Sequence, residues 1–378
     1  MIRIVADDKI PFLNGVLDRY ANITYMPGSM INREHIANAD ALIIRTRTKC
    51  TPGLLEGTNV KFIGTATIGF DHIDTHYCES RNIKWINAPG CNSGSVCQYI
   101  AAALLNISAE HKTGLKGRTI GIIGVGNVGS KVERFAEIMG MNLILNDPPR
   151  ERNEGGTKFS GLEMVLKESD FITVHVPLTF VGEDKTFHMI NEKTLKKVRK
   201  GAWFINSSRG EVADTGALIP ALDSRRLAGA VIDVWENEPD LDRDLMNRAF
   251  IATPHIAGYS TDGKANGTAV IVNKLAEFFG LPLHDWYPED LPEPEEPVIT
   301  IDCSGKSDEQ IVKEAVFHTY NIMEDDMQLR FAPSDFEKLR GDYHVRREFN
   351  AFEVRLTNCP AKIENLIIDM GFRIRRGR

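Results

Sequence analysis

The sequence predicts an α/β protein in three parts: two parallel-sheet domains, one inserted in the other, followed by a small α+β domain. Three observations carry this reading. Short β-branched apolar runs alternate with amphipathic segments along most of the chain, the rhythm of βα units and parallel sheets. One such run, from Thr119, ends in Gly124-Val-Gly126-Asn127-Val128-Gly129 and passes directly into a helical pattern at Val128, Val132, Phe135 and Met139. The periodicity then stops at Pro288-Glu-Asp-Leu-Pro-Glu-Pro-Glu-Glu-Pro297, a stiff linker. The expected parts are residues 1–90 with 260–290, residues 91–259, and residues 291–378.

In the first part, strands are expected at Ile2–Ala6, Ile23–Met26, Ala41–Arg45, Phe62–Thr65 and Lys84–Asn87, with helices at Phe12–Tyr20 and Asn32–Asn38. If extended backbone continues past Ala41–Arg45, then Arg45, Arg47 and Lys49 share one face. That reads either as an anion pocket or as a charged, protected sheet edge. His72 and His76, with Asp71 and Asp74 nearby, have the spacing of a helical metal pair. No third ligand has a defined spacing, so no metal is assigned.

A long helix from about Ser95 to Glu110, capped by Ser93 or Ser95, carries the chain into the second part. There, strands are expected at Thr119–Ile123, Asn142–Asn146, Phe171–His175, Ala202–Asn206, Ala230–Val234 and Phe250–Thr253. Helices fall between them at Gly161–Lys167, Glu192–Val198 and Asp214–Leu222, giving a doubly wound sheet. The helix Gly267–Phe279 returns the chain to the first part. The C-terminal part reads as strand Val298–Cys303, helix Asp308–Ile322, helix Ser334–Arg340, strand Phe352–Thr357, helix Pro360–Met370 capped by Asn358, and strand Phe372–Arg375.

At 378 residues the chain is too long for one core, and 42% hydrophobic with 26% charged residues is an ordinary globular balance. A net charge of −7 argues against a nucleic-acid or anionic-membrane surface. The six cysteines are scattered without a Cys-x-x-Cys and read as reduced, mostly buried thiols of a cytoplasmic protein. The N-terminus lacks the apolar core of a signal peptide, and no apolar run approaches membrane-spanning length.

The glycine turn aims backbone N–H groups and a helix N-terminus at whatever lies above it, which suits a pyrophosphate. The next strand ends on Asp147, about 18 residues past Gly129, where a carboxylate grips an adenosine ribose and repels a 2′-phosphate. The reading is therefore a dinucleotide site for NAD. Hydride transfer on a 2-hydroxy acid also needs a carboxylate clamp, a base and a group that orients the base. Asn206-Ser207-Ser208-Arg209-Gly210, Asp233-Val-Trp-Glu-Asn-Glu238-Pro239 and Thr253-Pro-His255-Ile-Ala-Gly258-Tyr259 follow three successive strands. They supply Arg209 as bidentate clamp, Glu238 as orienter and His255 as acid/base.

These motifs, with His175-Val176-Pro-Leu178, resemble those of the D-isomer-specific 2-hydroxyacid dehydrogenases. The resemblance implies a Rossmann domain inserted in a flavodoxin-like α/β substrate domain, with catalytic Arg209, Glu238 and His255. It also implies that Gly124, Gly126, Asn127, Val128, Gly129, Asp147, His175, Val176, Ser207, Ser208, Arg209, Asp233 and Gly258 line the cofactor. Phe62-Ile-Gly-Thr-Ala-Thr67-Ile-Gly-Phe-Asp71, Ala88-Pro-Gly-Cys-Asn92, Asn146-Asp-Pro-Pro149 and the C-terminal domain narrow the resemblance further. They point to a branch acting on a phosphorylated 2-hydroxy acid, dimeric through that domain. Thr46, Thr67 and Tyr259 are then expected to touch substrate along with Arg209. Arg45 and Arg47 are the first choice for its phosphate. Arg346 and Arg347 would reach a partner's site across a dimer. Two rivals remain at this stage: a family member acting on 3-phosphoglycerate with a regulatory C-terminal module, and an NAD-sensing corepressor.

Overall fold

The computed structural model of the chain describes residues 1–375. The chain forms two compact units, Met1–Asn92 with Ser260–Pro292, and Ser93–Tyr259 with Glu293 onward. In the first unit, β1 (Ile2–Asp7), β2 (Ala21–Met26), β3 (Ala41–Ile44), β4 (Phe62–Thr65) and β5 (Lys84–Ile86) form one parallel sheet. Its order is β2-β1-β3-β4-β5, the flavodoxin-like winding. Alternation along the strands divides the core in two. Ile4, Ala6, Ile43 and Phe62 face Ile271, Val272 and Leu275 of the helix Thr261–Phe279. Val5, Leu42, Ile44 and Ile63 face Ile36, Leu55 and Cys78 on the other side. Both faces are covered, which is why these strands read as continuous apolar runs.

The second unit contains β6 (Thr119–Ile123), β7 (Asn142–Asn146), β8 (Phe171–Val174), β9 (Ala202–Asn206), β10 (Leu227–Ile232) and β11 (Ile251–Ala252). They run parallel in the order β11-β10-β9-β8-β6-β7. The winding reverses direction at β6, so the loops after β6 and β8 flank the crevice where ligands bind in such sheets. The helix Ser93–His111 packs its fully buried Tyr99, Ile100, Ala103, Leu104 and Ile107 against this sheet.

The C-terminal segment adds a three-stranded parallel sheet, β12 (Val298–Asp302), β13 (Glu353–Thr357) and β14 (Arg373–Ile374). Ile299, Ile301, Val312, Val316 and Val354 belong to the same apolar core as Ile100, Ile120 and Val231. The junction is polar as well as apolar. The buried Asp326 carboxylate accepts the Ala252 N–H at 2.7 Å, at the edge strand β11. Arg330 pairs with Asp326 at 2.9 Å and donates to the Met246 and Ala249 carbonyls, each at 2.8 Å. The otherwise open edge is thus closed by a side chain rather than by a further strand.

Several local expectations are corrected. Phe12–Tyr20 is a series of turns, because Phe12 (φ 63°) and Gly15 (φ 82°) are left-handed and break a helix. Leu13 and Leu17 are nevertheless buried, so their spacing reports core contact without a helix. The helix expected over Asp308–Ile322 divides into Asp308–Thr319 and Ile322–Phe331. Tyr320 is extended there, and Asn321 caps the second helix. Asn358 is not a cap: it is left-handed (φ 54°) and donates to Asp302, and the helix Ala361–Asp369 starts after Pro360. β3 ends at Ile44 and the chain turns, with Thr48 N–H on the Arg45 carbonyl, so Arg45, Arg47 and Lys49 do not alternate along an extended face. His72 precedes the helix Thr75–Ser80, and its Nε2 meets the Thr65 hydroxyl at 3.1 Å. The expected helical stacking on His76 is therefore not made.

The cysteine reading is also corrected. Cys303 and Cys359 are joined as a disulfide between the ends of β12 and β13, while Cys50, Cys78, Cys91 and Cys97 are not disulfide-bonded. The pair is 56 residues apart in sequence, and only the parallel pairing of these two strands brings it together. Under denaturing, non-reducing conditions, a thiol titration is expected to count four thiols, those outside the disulfide. A count of six would remove the disulfide.

Candidate active site

The turn after β6 needs glycine at two positions, 124 and 129. Gly124 has φ +85°, and a Cβ on it would lie 2.5 Å from the His175 carbonyl oxygen. A Cβ on Gly129 would lie 2.0 Å from the Gly124 oxygen. At Gly126, by contrast, a Cβ would meet nothing within 4 Å, so the turn has open space above it. The helix Gly129–Ile138 starts here with no side-chain cap on its N-terminal N–H groups. Val128 is half-buried and Asn127 exposed.

Asp147, at the end of β7, accepts the Val125 N–H at 2.8 Å and the Arg150 N–H at 3.1 Å. Arg150 closes the arrangement by donating to the Val125 carbonyl. The carboxylate therefore stands directly beside the glycine turn. After β8, His175 bonds the Thr173 hydroxyl at 3.0 Å. Burial pushes its imidazole down to about 3, so it is neutral. Val176 contributes packing against the apolar core. After β9, the Ser207 hydroxyl is buried with no hydrogen-bond partner among the described residues, an atom available to a ligand. The open glycine turn, the uncapped helix, Asp147 and this hydroxyl fit a dinucleotide.

The loop after β9 is held by one side chain. Asn206 accepts from the Ser208 N–H and hydroxyl, at 3.1 and 2.9 Å, and donates to the Arg209 carbonyl at 2.9 Å. Arg209 is extended and half-buried, and its Nη1 donates to the Ser208 carbonyl at 2.8 Å. Gly210 lets this loop abut the next one, since a Cβ there would sit 2.0 Å from the Trp235 carbonyl carbon. That close approach places the Arg209 loop against the segment carrying Glu238.

Glu238 and His255 meet directly: His255 Nδ1 lies 2.7 Å from Glu238 Oε2. The other carboxylate oxygen accepts the Trp235 N–H at 3.0 Å. Burial works against the charge on Glu238. The His255 hydrogen bond and charge, the Trp235 N–H and the charge of Arg340 outweigh it and hold the carboxyl below the usual range. An ionised carboxylate only accepts, so Nδ1 carries the proton and Nε2 keeps its lone pair for a substrate hydroxyl. The carboxylate's contribution is present at neutral pH and is lost as pH falls through this lowered value.

His255 is left-handed, with φ +56°, an unusual backbone for a non-glycine residue. Asp233 makes it possible. Its buried carboxylate accepts the Thr253 hydroxyl at 2.7 Å, the Ile256 N–H at 2.8 Å and the Ala257 N–H at 3.0 Å, and its carbonyl accepts the His255 N–H at 2.7 Å. Burial raises the Asp233 carboxyl, against the pull of His255 and these donors. The structure thus turns Asp233 inward onto the catalytic loop. Gly258 and Tyr259 follow, both half-buried.

The remaining sequence-derived residues are placed as follows. In the first unit, Arg45 Nη1 donates to the Lys9 carbonyl at 3.1 Å, and Thr46 and Arg47 are exposed. Thr67 bonds the Thr65 hydroxyl at 2.7 Å and the Gly69 carbonyl at 2.8 Å. In the second unit, Arg346 and Arg347 are buried. Arg346 is committed within its own chain, donating to the Ala257 carbonyl at 2.5 Å. The Arg347 carbonyl accepts from Gln98 at 3.0 Å. Arg340, Tyr343 and Arg346 gather at the catalytic loop, and sequence reasoning missed this. Nothing in their spacing signals it, because they lie in a segment that reads as a separate domain.

A glycine turn at the switch point of a doubly wound sheet, followed by a carboxylate–imidazole pair and an arginine on adjacent strand ends, fits a nicotinamide-dependent dehydrogenase of 2-hydroxy acids. Residues 101–257 match the family model described as D-isomer specific 2-hydroxyacid dehydrogenase, NAD binding domain, and residues 291–371 match a domain of unknown function. The erythronate-4-phosphate dehydrogenase of Bacteroides thetaiotaomicron is 47% identical over 354 residues, covering 93% of this chain and 99% of that protein. The erythronate-4-phosphate dehydrogenase of Escherichia coli O9:H4 is 36% identical over 374 residues, covering 98% of each. Among solved structures, D-lactate dehydrogenase from Aquifex aeolicus, complexed with NAD and lactic acid, matches with a TM-score of 0.61 at 26% identity. That match covers 74% of this chain and 96% of that one. The chain belongs to the D-isomer-specific 2-hydroxyacid dehydrogenases, in their erythronate-4-phosphate dehydrogenase branch. It is an NAD-dependent oxidoreductase.

The contact at Gly210 has a direct test. Gly210→Ala is expected to destabilise the protein by about 1–3 kcal/mol, the usual cost of overpacking, measured by denaturant unfolding. Turnover should fall with it, as the Arg209 and Glu238 loops are forced apart. Wild-type stability and turnover would show that the close approach is not required.

Proposed function

We propose that the protein oxidises 4-phospho-D-erythronate to 2-oxo-3-hydroxy-4-phosphobutanoate, a step in forming pyridoxal 5′-phosphate. The observation that carries the mechanism is the 2.7 Å contact between His255 Nδ1 and Glu238. The substrate is taken from the relatives that span nearly the whole chain. Arg209 holds the substrate carboxylate as a fork of donors. His255 Nε2 accepts the proton of the C2 hydroxyl, and Glu238 stabilises the resulting imidazolium. NAD, when bound, supplies the acceptor for the hydride lost from C2. Gly124 to Gly129 and the N-terminus of Gly129–Ile138 would hold its pyrophosphate, Asp147 its ribose, and the Ser207 hydroxyl a further polar group.

Thr46, Thr67 and Tyr259 are assigned to substrate, and Arg45 and Arg47 to its phosphate. Among the described residues no helix is long and apolar enough to cross a membrane, and we assign the enzyme to the cytoplasm. Its partner is assigned as a second copy, through the C-terminal segment. The exposed Met327 and Phe331 there (59% and 92% exposed) support this. Sedimentation velocity is expected to give twice the monomer mass, and a monomer at micromolar concentration would refute the assignment.

The activity is tested by following reduced cofactor with erythronate 4-phosphate and 3-phosphoglycerate side by side, the first being the expected substrate. Equal or better use of 3-phosphoglycerate would reject it. His255→Ala is expected to lose on the order of 10²–10⁴ in turnover, the usual worth of a positioned acid/base, while binding NAD normally. Near-normal turnover in that variant would end the mechanism.

A further inference from the structure

The C-terminal segment reaches the acid/base pair of its own chain. Arg340, at the end of the helix Phe336–Gly341, lies over the rings of Tyr259 (5.7 Å) and Phe336 (5.6 Å). It also meets Glu337 at 3.3 Å. Its Nε is buried with no partner among the described residues. A guanidinium is acceptor-free and always charged, so this side chain brings a fixed positive charge to the Glu238 carboxylate. Around it, Tyr343 packs edge-on against Tyr259 at 5.9 Å, and Arg346 holds the Ala257 carbonyl. Tyr343 and Tyr320 both donate to the buried Asp325, at 2.7 and 2.8 Å. The loop that carries His255 is thus braced by residues 340–346 at Ala257 and at Tyr259.

We infer that Arg340 is a positioning residue of the dehydrogenase site, which seats Tyr259 and turns its positive charge toward the Glu238–His255 pair. A segment whose family model is a domain of unknown function then completes the catalytic site within one chain. The inference rests on the proposed roles of Glu238 and His255. The charged and titratable groups facing Glu238 are His255, on its own loop, and Arg340, from the C-terminal helix. Those facing Arg340 are Glu238, Tyr259 and Glu337, and Asp233 faces His255 from behind. Removing the one cation that is always charged raises the Glu238 carboxyl. The ionised form is then lost at a higher pH.

The test compares Arg340→Gln and Arg340→Lys with the wild-type enzyme in NAD-dependent oxidation of erythronate 4-phosphate across pH. Arg340→Gln is expected to raise KM severalfold and to shift the acid limb of kcat/KM upward by up to about one pH unit, since a nearby cation is worth about that much carboxyl shift. Arg340→Lys keeps the charge and should restore the acid side of the profile while leaving KM raised, because an ammonium cannot stack on the Tyr259 ring as the planar guanidinium does. An equal loss at every pH, or an acid side that Lys does not restore, would reduce Arg340 to a structural residue. Wild-type profiles for both would overturn the inference outright. Failure of the wild-type enzyme to oxidise erythronate 4-phosphate would instead overturn the substrate assignment, so the two failures are distinguishable.

Discussion

The buried carboxylate of Asp233 is the constraint on which the site depends. It gathers a hydroxyl and two backbone N–H groups of one loop and so fixes a left-handed backbone at His255. A lone buried carboxylate is costly, and each of these donors offsets part of that cost. Its loss would leave the Ile256 and Ala257 N–H groups buried and unsatisfied, a penalty of about 1–3 kcal/mol each. The imidazole would lose its direction as well. Function and stability therefore meet in one residue that need not touch the reacting atoms.

Around that centre, each group proposed for catalysis is positioned by a different device. Arg209 is set by the Asn206 side chain that staples its loop, and Glu238 by the Trp235 N–H. The two loops come together only because Gly210 has no side chain. His255 is further supported through Thr253, whose hydroxyl also meets the Tyr99 phenol from the long helix at 2.7 Å. Hydride transfer demands placement to a fraction of an ångström, and short polar contacts on strand ends provide it.

Much of this was legible in the residues. The apolar runs marked every strand of both large sheets, and Gly124 to Gly129 marked a tight strand-to-helix turn, because strand periodicity and glycine geometry are local properties. The contact of Glu238 with His255 was legible because both follow strands of one sheet, whose loops must converge. What was not legible depends on contacts distant in sequence. Phe12–Tyr20 had helical spacing, but two left-handed residues took it elsewhere. Cys303 and Cys359 pair only once β12 and β13 align. Arg340 and Arg346 look like surface charges in a separate domain until the shared core of Ile299, Ile301 and Val354 brings that segment against the cofactor sheet.

The central claim is that the proton of the C2 hydroxyl goes to His255 while C2 gives up a hydride. Its most direct test is oxidation of erythronate 4-phosphate carrying deuterium at C2, with mass analysis of the reduced cofactor. The account requires one deuterium in each reduced nicotinamide formed. Unlabelled reduced cofactor, with deuterium released to water, would contradict it.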